Sequence, residues 1–329
     1  MDSNVSKNTN SHKFFKIALN QEKLTISLKN SIKQWLLSTW DLYQQKFEFT
    51  VKDDFIAAAI VSKISLVKSQ LLSVNSLENI NQLQGQSKFI PIVYGCPFGR
   101  ILASESQLSL QIIVTNLGTL LQSKQNIFIT ESELKLSVVL LDSGWLNFYL
   151  DSKTLVVWLN KLLNQIQVKQ RSLDVINVHN NISTARLLSV QYIHARCCSL
   201  LRLGAREKLI TLQDNLAQSE VLWQSPVAIS WLDQEQNLWL SELSEYDLLR
   251  QLLFVTDIFT NTVEQDWTEI AMCLSKATAI FFAECRFLGE IKQKYPAKAI
   301  ARLGLIAIVQ YWLELILTEK LNLPAPTHL

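Results

Sequence analysis

Histidine and methionine are nearly missing from this chain: 329 residues hold four of the first and two of the second. The histidines stand at 12, 179, 194 and 328, so they supply no cluster with metal-ligand spacing. The five cysteines, 96, 197, 198, 273 and 285, form no C-x-x-C pair, which excludes zinc-ribbon and dithiol redox chemistry. They read as reduced core residues of a cytoplasmic protein, with a strained Cys197–Cys198 disulfide as the other reading. There is no G-x-x-x-x-G-K-[ST], no G-x-G-x-x-G and no G-x-S-x-G, hence no recognisable phosphate cradle, dinucleotide fold or nucleophile elbow. No metal or cofactor is expected. Glycine (eight) and proline (six) are scarce, and leucine- and glutamine-rich segments dominate, which favours helix. A charge surplus is missing too, with 31 Lys+Arg against 29 Asp+Glu. The balance is uneven: residues 1–170 hold 17 basic and 12 acidic side chains, 171–329 hold 14 and 17. Attraction to nucleic acid through bulk charge is therefore weak at best, and any RNA contact has to use a local patch. The most apolar window, Ala301 to Leu317, is interrupted by Arg302, Gln310 and Glu314 and reads as an amphipathic helix rather than a membrane span. The polar start MDSNVSKNTNSHK has no apolar core, so it is read as a tail over 1–17 and not as a signal peptide. No membrane partner is expected.

What is present divides the chain in two. Residues 18–168 read as α+β, with helices over Leu28–Tyr43 and Asp54–Leu72 and a Ser/Asn/Gln-rich connection near 73–88. In LKLSVVLLDSGWLNFYL, Leu134, Leu136, Val138 and Leu140 alternate, Asp142-Ser143-Gly144 supplies turn chemistry, and Leu146, Phe148 and Leu150 alternate again. That is a hairpin pattern. Its period puts Trp145, Asn147 and Tyr149 on the opposite face. Two aromatics flanking an amide suit stacking on an unpaired base; equally, a helix could cover that face. From 172 to 329 the pattern is all helix. Ser244–Asp247 and Asp266–Glu269 read as capping boxes, and the last helix, 298–321, carries Gln310, Glu314 and Thr318 on one stripe before Leu323-Pro-Ala-Pro326 stops it.

The stretch SVQYIHARCCSLLRLGARE, 189–207, has two faces. Val190, Ile193, Cys197 and Leu200 form an apolar stripe; Ser189, Tyr192, Arg196, Ser199 and Arg206 form another, with Arg202 beside it. Gln191 and His194 fall at the border, where each needs a polar partner. His194 reads as a structural histidine, the alternative being a general base or ligand. The Tyr192–Arg196–Arg206 stripe reads on composition as a solvated face.

These residues carry a resemblance. The stretch resembles the Y-x-Q-Y-A-H-A-R-x-x-S-I-L-R signature of the helical anticodon-binding (DALR) domain of arginyl-tRNA synthetases. ELSEYDLLRQLLFVTDIF, FFAECRFLGE and ARLGLIAIVQYWLELILTEKLNLPAPTHL are similar to that domain's later segments. DSGWLNFYL resembles the G-P-G-F-I-N-F-R-L hairpin of the synthetases' N-terminal additional domain, and FGRILASESQLSLQ stands where that domain has G-D-Y-A-x-N-x-A-L-x-L. The resemblance implies an α+β N-terminal domain over 18–168 and an all-α DALR-type bundle over 172–329, joined without the catalytic domain that synthetases place between them. Neither an H-I-G-H-like nor a K-M-S-K-like motif occurs, so no enzyme activity is expected.

By the same resemblance, the RNA-binding candidates are Gln191, Tyr192, Arg196, Arg206, Phe282, Arg286, Leu329, Trp145 and Asn147. The family's upstream tyrosine is Ser189 here, and its chain-terminal methionine is Leu329. The implied partner is tRNA of arginine type, held at the anticodon loop by Tyr192 and its neighbours and at the elbow by Trp145 and Asn147. Two other readings stay open: a protein-interaction adaptor on the same scaffold, and the accessory half of a split synthetase.

Overall fold

A computed structural model of the chain describes residues 27–47, 59, 63–67, 92–106, 108–121, 126–129, 134–169, 185–213, 221–259 and 264–328. The tail 1–17, the connection 73–88, His12, His179, the stretch 172–184 and Leu329 lie outside the described residues. Two compact units result, one of residues 1–86, 90–154 and 256–262, the other of 87–89, 155–255 and 263–329. Helix α4 (Ser152–Lys169) thus joins the second unit from Leu155 onward, ahead of the boundary at 168–172 read from the sequence.

In the first unit five strands, β1 (Ser65–Leu66), β2 (Ile92–Cys96), β3 (Asn126–Ile129), β4 (Leu134–Leu140) and β5 (Leu146–Leu150), form one sheet in the order β1-β2-β5-β4-β3. Every described pairing is antiparallel. The expected hairpin is β4–β5, with Leu136, Val138 and Leu140 opposite Leu150, Phe148 and Leu146. Directly opposed residues share a face, so β2 adds Ile92, Tyr94 and Cys96 to the same apolar side. Helix α1 (Leu28–Phe47) covers it, burying Leu28, Ile32, Leu36, Trp40 and Tyr43 at helical spacing and setting Trp35 edge-on to Phe148 at 5.6 Å. Of the helix expected over 54–72, residues 59 and 63 are helical, whereas within 64–67 Ser65–Leu66 is a short strand that edges the sheet against Gly95 and Tyr94; the rest lies outside the described residues.

Two glycines fix the hairpin to α2 (Phe98–Ser106). Gly144 takes the left-handed φ of +79° in the turn, and its carbonyl accepts from Gly99 N at 2.8 Å. A Cβ on Gly99 would stand 2.9 Å from that oxygen, and Arg100 Nε donates to Ser143 O at 2.9 Å. Helix α3 (Leu110–Leu121) follows, its Asn116 amide donating to the Tyr43 hydroxyl at 3.2 Å.

The first unit also buries a carboxylate. Asp257 accepts from Ser27 Oγ at 2.9 Å and Lys29 N at 3.1 Å through Oδ1, and from the Tyr94 hydroxyl at 2.6 Å through Oδ2. Burial pushes its pKa up to about 6 in spite of those donors.

The second unit is built on helices α4, α5 (Ala185–Arg206), α6 (Leu243–Phe259, as far as Val255), α7 (Trp267–Glu284), α8 (Glu290–Lys294) and α9 (Pro296–Leu315), the last widening into a π-helical turn at Ile316–Lys320. Asp151 starts α4 by accepting from Thr154 N at 2.7 Å, and Leu155, Trp158, Leu159, Leu162, Leu163 and Ile166 make its inner stripe. The helical half is interrupted by a two-stranded ribbon, β6 (Thr211–Gln213) with β7 (Leu222–Ser225), and by an irregular stretch up to Ser241. Pro226, without an N–H, ends β7, and Trp223 and Trp231 fill the space, donating to Pro226 O and Asn160 Oδ1 at 2.9 Å each.

Helix α9 is the centre of this unit. It is buried on every side from Ala301 to Leu313, so even Gln310 of the expected polar stripe lies inside the unit. With the π turn it is long and apolar enough to cross a membrane, yet it lies inside the unit. Gly304 lets Trp231 and Ile229 touch its backbone, where a Cβ would lie 2.3 Å from Ile229 Cδ1.

Candidate nucleic-acid interface

Helix α5 packs against α9 and α7 and turns three distinct faces to its surroundings. Val190, Ile193 and Cys197 are buried as their spacing requires. Burial pushes the Cys198 thiol up to about 12 and raises that of Cys197 as well, so both stay protonated. All five cysteines are free thiols, which sets aside the Cys197–Cys198 disulfide.

The opposite stripe is open. Tyr192 is 54% exposed and Leu188, one turn earlier, 57%. Ser189, Arg196 and Arg206 are exposed with them, and Lys208 follows the helix end. An aromatic ring thus stands on the same ridge as two guanidinium groups, on a helix whose other sides are locked into the core. Glu207, beside this ridge, is engaged by Lys292 at 2.7 Å, which holds its carboxyl below the usual range.

Gln191 and His194 face the other way. Gln191 is only 6% exposed, its amide donating to Pro324 O at 2.8 Å. His194 is fully enclosed, with Nδ1 2.9 Å from Pro326 O and Nε2 3.1 Å from the Gln310 amide. Both ring nitrogens face partners within the unit, Pro326 O and the Gln310 amide. Gln191, by contrast, leaves the exposed set because its amide is bound to the chain's own C-terminal segment.

Phe282, on α7, is half-buried, its ring tilted against Phe281 at 6.0 Å. Arg286 is exposed just past the end of α7, on a backbone pinned from several directions. Cys285 N closes on Phe281 O at 2.8 Å, Phe287 is buried, and the Arg286 carbonyl accepts from Arg302 Nη1. Arg302 itself is enclosed in α9, its Nε 2.6 Å from Glu245 Oε1, an ion pair with both side chains buried. Glu245 Oε2 in turn accepts from Glu242 N at 2.8 Å. The capping box expected at Ser244–Asp247 therefore sits two residues earlier, at Glu242–Glu245, and Ser244 is directed at Cys285 Sγ, 3.3 Å away. The second box stands as expected, Asp266 accepting from Glu269 N at 3.1 Å.

The hairpin candidates fare differently. Trp145 is half-buried against Gly95, while Asn147 is 8% exposed and contacts the Tyr149 hydroxyl at 3.4 Å. Val93 and Tyr149 form a small second core on that face, with Val67 and Val139 packed against it. On this face Asn147 and Tyr149 are buried rather than open to solvent, with Val93 of β2 beside Tyr149 and Val139 of β4 beside Asn147. Leu329 lies outside the described residues. The buried Arg302–Glu245 pair that holds the Arg286 backbone was not foreseen from the sequence, where its signal was an arginine inside the most apolar window. No group of His, Cys, Asp and Glu able to hold a metal occurs among the described residues.

Comparison with known proteins falls on the same segment. Residues 190–329 match the model of the DALR anticodon binding domain, and Tyr192, Arg196 and Arg206 of the open α5 stripe lie within the matched segment. This C-terminal part is homologous to arginine–tRNA ligases. The chain is 30% identical to the arginine–tRNA ligase of Synechococcus sp. (strain JA-3-3Ab) over 141 residues, 42% of this chain and 21% of the ligase. Similarity to that of Gloeobacter violaceus (strain ATCC 29082 / PCC 7421) is 28% over 134 residues, 39% of this chain and 20% of the ligase. The chain spans about a fifth of the length of these curated relatives. No solved structure gives a significant match.

Proposed function

We propose that this protein binds tRNA without activating an amino acid, holding the anticodon loop on the open stripe of α5. The observation that carries the reading is the exposed ring of Tyr192 in line with Arg196 and Arg206, inside the segment that matches an anticodon-binding domain. An anticodon loop is single-stranded, and its splayed bases stack on aromatic or guanidinium planes. Arg286, on its pinned loop just past the end of α7, the neighbour of α5, adds a third cation. Similarity to the ligases is confined to this C-terminal part, which supports a non-catalytic role. The arginine type of the tRNA and a cytoplasmic setting belong to the same proposal. At the elbow, Trp145 is the group left to make contact.

Filter binding of arginine tRNAs against other tRNAs at several salt concentrations tests the proposal. A preference for arginine tRNA with a shallow salt slope supports it, since few cations line the stripe; no binding at moderate salt refutes it. Replacing Tyr192 and Arg286 by alanine weakens binding by about 1–3 kcal/mol per lost stack.

One observation favours the adaptor reading. Leu188 and Tyr192 together give α5 an exposed apolar edge, and co-purification of a protein that persists after RNase treatment would favour it over RNA. If the chain is instead the accessory half of a split synthetase, adding it to a catalytic chain raises arginylation.

A further inference from the structure

Three polar side chains of α5 end on backbone carbonyls of one short segment. Gln191 reaches Pro324 O, His194 reaches Pro326 O, and Arg202 Nη1 donates to Thr327 O at 2.8 Å. The Gln310 amide, which also donates to Glu314 Oε2 at 3.1 Å, points at His194 Nε2. That nitrogen must then accept, which places the ring proton on Nδ1, facing Pro326 O. The segment L-P-A-P-T lacks two backbone N–H groups, at Pro324 and Pro326, so it can neither continue the helix nor enter a strand ladder. Its carbonyls are the groups left to satisfy. The donors at 191, 194 and 202 lie within a sector of on the order of 80° on the helix wheel, at about 100° per residue. The next sector round the helix is the Tyr192–Arg196–Arg206 stripe. Where the segment begins, Leu323 is buried and its N–H donates to Leu317 O at 2.8 Å.

We infer that Gln191, His194 and Arg202 are positioning residues that hold the C-terminal segment 322–328 as a strap along α5, making the strap one wall of the RNA surface. The inference rests on the reading of the α5 stripe as that surface. The three donors grip main-chain carbonyls, and the fixed φ of Pro324 and Pro326 stiffens the chain between the grips. Pro324 and His328 remain exposed along it.

The test uses the full chain and an arginine-tRNA anticodon stem-loop, and reads amide hydrogen exchange over 322–328 alongside RNA affinity. In the double variant Gln191→Leu, Arg202→Met, exchange in the strap accelerates and affinity falls about tenfold, while Arg202→Lys, which keeps a donor, restores both. Pro326→Gly loosens the strap without touching α5, so it gives the same result should the double variant fail to fold. Unchanged exchange in the variants overturns the clamp. Faster exchange with unchanged affinity overturns the wall. A wild-type chain that binds no stem-loop at all sinks the RNA reading and the wall with it, while exchange still reports on the clamp.

Discussion

Two surfaces of this molecule carry aromatic side chains beside polar ones, and they have opposite fates. On β5, Asn147 and Tyr149 stand on the face away from α1 and are buried; on α5, Tyr192 stands beside Arg196 and is open. The difference lies in the neighbours. A central strand has partners on both edges, and on its second face Val67, Val93 and Val139 pack around Tyr149. A helix on the rim of a bundle needs only part of its circumference for the core, and guanidinium groups keep the remainder in water. Alternation on a strand therefore says which residues share a face without saying whether that face is covered, whereas charge on a helical ridge says both.

The contrast between inside and outside can be broken at several points. The largest effect is expected at Arg302→Met, which leaves Glu245 buried without its partner and lowers the stability of the second unit by about 3–5 kcal/mol in urea unfolding. Tyr149→Ala removes a buried ring and costs about 3 kcal/mol of stability. If Tyr149 were instead an RNA contact, the same change would leave the unfolding midpoint in place.

Asp257 sharpens the picture through pH. Its folded-state pKa is raised to about 6, above the ordinary carboxylate value, so the folded state holds the proton more tightly than the unfolded one. The resulting stability is fully present below about pH 4 and is lost as pH rises through about 6, a change of order 2–3 kcal/mol in unfolding free energy. Asp257→Asn should flatten that dependence, and a slope that survives the substitution would place its source elsewhere. The smallest effect on folding is expected at Tyr192→Ala, within about 0.5 kcal/mol of wild type, because an exposed ring contributes little to the core.

Much of this was legible in the sequence because the signals are local. The β4–β5 register follows from alternation on either side of Asp142-Ser143-Gly144, and the buried and open stripes of α5 follow from helical spacing. The resemblance through Tyr192, Arg286 and the closing helix fell on the segment that matches the DALR anticodon binding domain. What escaped depends on distant partners. Gln191 looked like part of the signature's RNA-reading set, yet its partner, Pro324 O, is 133 residues away. Asn147 was ambiguous because nothing within the hairpin tells what covers it. The capping box slipped by two residues because E-L-S-E-Y-D offers acids at both 245 and 247, and the buried pair with Arg302, 57 positions on, selects Glu245.

Photocrosslinking of tRNA to the folded chain, mapped by mass spectrometry of the linked peptides, compares the two surfaces directly. The expected result is crosslinks within 189–206, lost in Tyr192→Ala, and none on 147–149. Crosslinks concentrated on the β4–β5 hairpin, with α5 unlabelled, would contradict it.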